Sequence, residues 1–200
     1  MTSIEKVRTN DPEGLKSRVI EAAFRAFTTR GFNATGVQDL LRTIGVSGGA
    51  YSHHFASKKD LALAVITNSV VSAVDKSWIA PVNAADSTKQ GVRAVFRKLI
   101  DSLERAGTIF GCPLNNLALE LSTQDPDIRA AIDEVFSHWR DELTKKIRRD
   151  QSRGLLKHLV AEDAATFIIA TYSGAMAMAK ASGSTRPLQI CSKQLVSYLS

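Results

Sequence analysis

Apolar residues return at every third or fourth position along most of this chain, and glycine or proline separates the stretches that show the pattern. Leu15, Val19, Ala22, Ala23, Ala26 and Phe27 form the first stripe, the spacing of a helix that buries one face and leaves Lys16, Arg18, Arg25 and Arg30 in water. Asp11 as N-cap, Pro12 in the first turn and Glu13 behind it mark the start, and Gly31 the end. Val37, Leu40, Leu41 and Ile44 predict a short second helix, capped by Thr35 and closed by Gly45, which can take the left-handed conformation of a tight turn. Ser47 offers a fresh N-cap for a third helix over residues 48–55. Two short helices around a glycine turn form a helix-turn-helix pattern.

Ser57-Lys58-Lys59-Asp60 reads as a capping box that opens a long helix. Leu61, Ala64, Val65, Asn68, Val71 and Ser72 continue one face to about Trp78, and Pro81 is expected to stop the run. Further helices are predicted over residues 87–106, 114–122, 127–153, 162–182 and 187–199, with Asp125-Pro126-Asp127 as a start signal and Gly154 as a stop. The expected fold class is all-α: a three-helix unit with the helix-turn-helix over residues 1–57, and a C-terminal helical bundle over residues 58–200.

Composition narrows the function classes. With 44% hydrophobic residues in 200, the chain can bury a sizeable core. The net charge of +6 suits a polyanionic partner. Residues 40–59 contain no Asp or Glu but hold Arg42, His53, His54, Lys58 and Lys59, a surface that can approach phosphate without repulsion. Cys112 and Cys191 are too few and too far apart for a disulfide framework or a zinc site with paired ligands, which favours a reducing compartment. Residues 1–10 lack the apolar core of a secretory leader, and no run approaches the eighteen or so apolar residues of a membrane span.

No phosphate-cradling Gly-Lys loop, His-Glu-x-x-His or nucleophile elbow is present, so no catalytic residue and no cofactor is assigned. Adjacent His53 and His54 would point about 100° apart on a helix, which argues against a metal pair. Paired acids such as Asp133-Glu134 have the pattern of a solvated face.

Thr35-Gly36-Val37-Gln38-Asp39-Leu40, Gly45-Val46-Ser47-Gly48-Gly49 and His54-Phe55-Ala56-Ser57-Lys58-Lys59-Asp60-Leu61 together resemble the DNA-binding domain of the tetracycline-repressor family of regulators. Phe110-Gly111-Cys112-Pro113-Leu114-Asn115-Asn116-Leu117-Ala118-Leu119-Glu120 is similar to a subgroup of drug- and electrophile-responsive repressors in that family. The resemblance implies a cytoplasmic, nucleoid-associated homodimer that binds a pseudo-palindromic double-stranded DNA operator and leaves it when a small-molecule effector enters the C-terminal domain. Ser52 departs from the pattern: most members carry a tyrosine there, and here the aromatic Tyr51 stands one place earlier.

A recognition helix reads base edges near its N-terminal end and sets its register through phosphate contacts. Gly48, Gly49 and Ala50 occupy that end behind Ser47, and their small side chains allow the backbone close to DNA. Readout would then fall to Gln38, Ser52, His53 and the Ala50 methyl, with Thr35 and Lys58 on phosphates. The alternative for Gly48-Gly49 is a flexible loop without a helix. Tyr51 and Phe55, one turn apart, are expected to face the core.

Cys112, expected at a helix N-terminus, could be a sensor whose thiol the helix dipole acidifies, or a small buried hydrophobe. Trp78, Phe110, Trp139, Tyr172 and Met176 could line an effector cavity or fill the core, and Asn116 and Glu120 could orient a ligand or face solvent. The last two helices are the expected dimer interface through Ala164, Ala165, Ile168, Ile169, Ala175, Ala179, Leu188, Ile190, Leu195 and Leu199; the alternative is that these close the monomer's own core. A protein-binding adaptor is the competing class, and it would show no salt-dependent affinity for DNA.

Overall fold

The protein, a computed structural model, is described over residues 12–200 and is all-α there; the expected Asp11 cap lies outside the described residues. The helices are α1 Pro12–Arg30, α2 Val37–Ile44, α3 Gly48–Ser52, α4 over residues 58–84, α5 Thr88–Ala106, α6 Pro113–Leu121, α7 Pro126–Ser152, α8 Ala161–Ser182 and α9 Arg186–Tyr198. Val19, Ala23, Phe27, Leu40 and Leu41 bury the predicted faces of α1 and α2, and Tyr51 and Phe55 turn inward from the α3 region. One cluster of buried side chains joins this three-helix head to the C-terminal bundle.

Three local features depart from the sequence expectation. The cap of α2 is Gly36, in extended conformation, because Thr35 is drawn inward: it is 1% exposed and its Oγ1 donates to the Gly31 carbonyl at 2.7 Å. Helix α3 ends at Ser52, where the Tyr51 carbonyl accepts from both His54 and Phe55 amides at 2.9 and 3.0 Å. The Tyr51 hydroxyl then donates to the Ser57 carbonyl at 3.1 Å, which fixes the entry to α4.

The third is Pro81. Helix α4 contains two π-helical stretches, Val65–Val70 and Asp75–Ile79, and it runs past Pro81 to Ala84. A proline inside an α-helix clashes with the carbonyl four residues back and removes one ladder bond. Here the carbonyl four residues back is that of Ser77, inside a stretch whose bonds already skip to the fifth residue, so the wider register accommodates the ring.

Beyond α4, a Cβ added at Gly91 would sit 2.8 Å from the Val82 Cα, so the end of α4 and the start of α5 cross at backbone contact. The N-terminus of α5 is held by Asp150 of α7, a fully buried carboxylate. Its Oδ2 accepts from the Thr88 amide at 2.5 Å and the Thr88 hydroxyl at 2.8 Å. Lys146 and Arg153 face the other oxygen at 3.6 and 3.8 Å.

On α8 and α9 the expected interface residues Ala164, Ala165, Ile168, Ile169, Ala175, Ala179, Leu188, Leu195 and Leu199 are buried within the monomer. Of that set Ile190 alone stays exposed. The apolar stripe left open on α8 is a different one, Phe167, Ala170, Gly174 and Met178. The phenyl ring of Phe167 meets Tyr198 of α9 edge-on at 4.8 Å.

Candidate functional site

The outer face of the head is built by α2 and α3. Ser47 caps α3 by accepting from the Ala50 amide at 3.2 Å. Gly48, Gly49, Ser52, His53 and Gln38 are exposed, and Ala50 is half-buried. A Cβ added at Gly48 or Gly49 would meet nothing within 4 Å, and neither has a positive φ. The fold itself therefore does not require glycine there; the space opens outward, toward whatever α3 approaches. Ser52 spends its hydroxyl on the Gly48 carbonyl at 2.9 Å, and Arg18 of α1 closes the end of α2 by donating to the Ile44 carbonyl at 2.9 Å.

Thr35 and Lys58 do not lie on that face. Lys58 turns inward, its Nζ donating to the Phe32 carbonyl at 2.6 Å and lying 4.1 Å from the Phe32 ring centre. Burial pushes its ammonium pKa down, against the pull of the nearby Glu120 carboxylate.

The second locus is an aromatic nest inside the C-terminal bundle. Trp78 of α4, Trp139 of α7 and Tyr172 of α8 meet at 4.8 to 5.7 Å between ring centres, and Phe96 of α5 closes on Trp78 at 5.7 Å. Beside the rings is a cavity of about 30 Å³ lined by Trp78, Trp139, Tyr172, Cys112, Leu114 and Ser77, among others. That volume holds a water or two, far below the several hundred Å³ of a drug-sized site. A drug-sized molecule would fit here only if these helices moved apart.

The Trp139 Nε1 is buried without a hydrogen-bond partner. Cys112 caps α6 from extended backbone. Burial raises its thiol pKa despite hydrogen bonds from the Asn115 and Leu114 amides, so desolvation outweighs the helix-terminus effect expected from sequence. Tyr172, nearly buried, is also pushed up, chiefly by desolvation.

Trp78, Cys112, Trp139 and Tyr172 thus come together, whereas the other four expected effector residues do not. Phe110 is exposed in the preceding loop, and Met176 is buried in the core away from the cavity. Asn116 and Glu120 face the head: Glu120 accepts from the Phe32 and Asn33 amides at 2.9 and 2.7 Å, and Asn116 donates to the Phe110 carbonyl at 2.8 Å and the Thr28 carbonyl at 3.4 Å. Val70, Val74 and Ser77 also line the cavity, and their spacing of one turn along α4 was a readable signal. Among the described residues, no cluster of three or more His, Cys, Asp or Glu could hold a metal ion, and no helix is long and apolar enough to cross a membrane.

Residues 19–65 match the bacterial regulatory proteins of the tetR family, and residues 88–194 match the C-terminal domain of LmrA/YxaF-like transcriptional regulators. An uncharacterized HTH-type transcriptional regulator from the lacX 3′ region of Lactococcus lactis is 30% identical, over 82% of this chain and 83% of the relative. The HTH-type transcriptional repressor DhaR of a Mycobacterium species is 24% identical, over 87% and 86% of the two chains. The crystal structure of a TetR transcriptional regulator from Chloroflexus aurantiacus superposes with a TM-score of 0.82 at 25% identity, covering 94% of each chain. With a matched head and a match across more than half its length in the C-terminal part, this chain belongs to the TetR family of bacterial helix-turn-helix transcriptional regulators.

Proposed function

We propose that the protein is a homodimeric, ligand-responsive repressor: residues 1–57 bind a pseudo-palindromic operator, residues 58–200 pair two copies, and a small molecule entering at the aromatic cavity releases the DNA. In this reading it works in the cytoplasm, on the nucleoid, and catalyses nothing. The observation that carries it is the outward-open Gly48–Gly49 end of α3, where absent side chains serve a partner and not the fold. Gln38, Ser47, Gly48, Gly49, Ala50, Ser52 and His53 are the proposed DNA contacts, and backbone amides near Ser47 suit a phosphate.

The cavity supports the effector half of the reading. Trp78 lies in the second π-helical stretch of α4, the helix that leaves the head and enters the nest. A molecule wedged beside Trp78 would tilt α4 and change the separation of two recognition helices from the roughly 34 to 36 Å of successive major grooves. The test is retention of genomic DNA fragments by the purified protein at two salt concentrations. A retained pseudo-palindrome, weakened by salt and by His53→Ala or Gly49→Glu, is the expected result. Retention of no specific sequence at either salt would overturn it.

A further inference from the structure

Helix α6 spans the distance between the aromatic cavity and the head. At its first turn Cys112, Pro113 and Leu114 line the cavity. At its last turn, about 10 Å further on at 1.5 Å per residue, Glu120 holds the α1–α2 loop. Both of its carboxylate oxygens are engaged, Oε2 by the Phe32 amide at 2.9 Å and Oε1 by the Asn33 amide at 2.7 Å. The peptide that carries the Asn33 amide is held from its other side, where the Phe32 carbonyl accepts from Lys58 at 2.6 Å and from the Thr35 amide at 3.1 Å.

Glycine is what lets the carboxylate in. Gly31 adopts φ +96°, and a Cβ there would stand 3.2 Å from Glu120 Oε2. The other end of α6 is tied to the same joint, because Asn116 bonds the Phe110 carbonyl just before the helix and reaches Thr28 on α1. A Cβ on Gly111 would clash with Asn116 at 2.7 Å. Loop 31–33 in turn leads to the buried Thr35 and the start of α2, and so sets where the DNA-facing helices sit.

We propose that Glu120 is the positioning residue that couples the cavity to the DNA-binding head: it clamps loop 31–33 while the cavity is closed, and displacement of the first turn of α6 withdraws it. This rests on the reading above that operator affinity falls when the cavity is occupied. In the structure the clamp is closed while the cavity admits only water-sized molecules. A carboxylate accepting two backbone amides is a directional contact, and backing it off by an ångström or two breaks both bonds together. The change in head position then follows with no unfolding of either part.

Because the effector is unidentified, a larger side chain at Ala73, which lines the cavity beside Val70 and Val74, serves as the probe: Ala73→Leu, with Ala73→Val as the milder form should the leucine prevent folding. Hydrogen exchange on the full chain reads the clamp without DNA. Glu120→Ala should speed exchange at the Phe32 and Asn33 amides about tenfold, as loss of a charge-assisted bond predicts, with Glu120→Gln intermediate. Ala73→Leu should speed the same two amides and add nothing in the Glu120→Ala background. On the operator recovered above, each single variant should weaken binding about tenfold and the double variant no further.

Unchanged exchange at Phe32 and Asn33 in Ala73→Leu, with tryptophan emission showing an altered cavity, would overturn the coupling. So would losses that simply add. If the native chain retains no specific DNA, the repressor reading fails on its own, and the exchange measurements still decide the clamp.

Discussion

Cys112 shows how a local signal and its surroundings can oppose each other. Sequence places it at a helix N-terminus beside Gly111 and Pro113, where a thiolate is favoured. The fold buries it among Trp78, Trp139 and Tyr172, and desolvation drives the pKa up. Iodoacetamide at pH 8 should therefore label the half-buried Cys191 first, and Cys112 only when the chain unfolds or the cavity is forced open; mass spectrometry of timed samples reads the order. Rapid labelling of Cys112 in the folded protein would mean that the thiol is ionised and reachable. Lys58 and Glu120 were misplaced at the same scale for one reason: each is fixed by a partner 26 or 88 positions away in sequence, and neither spacing nor charge pattern encodes so distant a partner. Tyr51 and Phe55 were legible because their partners lie within the same short stretch.

At the scale of elements, most boundaries were legible because capping residues act locally. Ser57 accepts from the Asp60 amide, Ser87 from Gln90 and Asp125 from Ile128, each at the predicted start. The continuation of α4 through Pro81 was not legible, since a π register depends on how Trp78 and Ile79 pack. Nor was the tertiary cap on α5, which comes from α7. Asp150 there is fully buried, with one oxygen satisfied by Thr88 and the other facing Lys146 and Arg153. Asp150→Ala would leave the Thr88 amide and the buried Lys146 ammonium without this carboxylate. Its expected cost is about 3 kcal/mol, or a fall of about 10 °C in Tm for a chain of this size, measured by calorimetry. Asp150→Asn keeps an acceptor for Thr88 but removes the charge, and should fall between the two.

At the scale of the molecule, two junctions decide behaviour. The first joins α4 to α7, where Lys59 bonds Asp125 and Asp127 at 2.8 and 2.6 Å. Lys59 holds the Asp125 carboxyl below its ordinary value, and the pair of carboxylates raises the Lys59 pKa. A carboxyl depressed in the folded state contributes stability that is complete above its unfolded value, about pH 4, and is lost as pH falls through the lower folded value. Tm should therefore drop between about pH 5 and 3, and Lys59→Met should flatten that drop; an unchanged slope would show that the bridge is inert.

The second is the proposed junction between two subunits, for which burial redirects the sequence expectation from one face of α8 to the other. The alanines and isoleucines of α8 that suggested an interface already fill the monomer core, while Phe167, Met178 and Ile190 remain 47%, 61% and 52% exposed. Gly174 sits between Phe167 and Met178 on α8, with no atom within 4 Å of an added Cβ, so that a partner helix could approach its backbone. Exposed large apolar side chains around a small residue are the pattern of a close helix pair and not of a solvated face. Gly174→Glu places a charge in that seam and should give a monomer by sedimentation, whereas Leu155→Glu, exposed but off the stripe, should leave the dimer intact. Because a pseudo-palindrome needs both heads at once, the monomer should also lose more than tenfold in operator affinity. A Gly174→Glu protein that still sediments as a dimer would move the interface elsewhere on the surface.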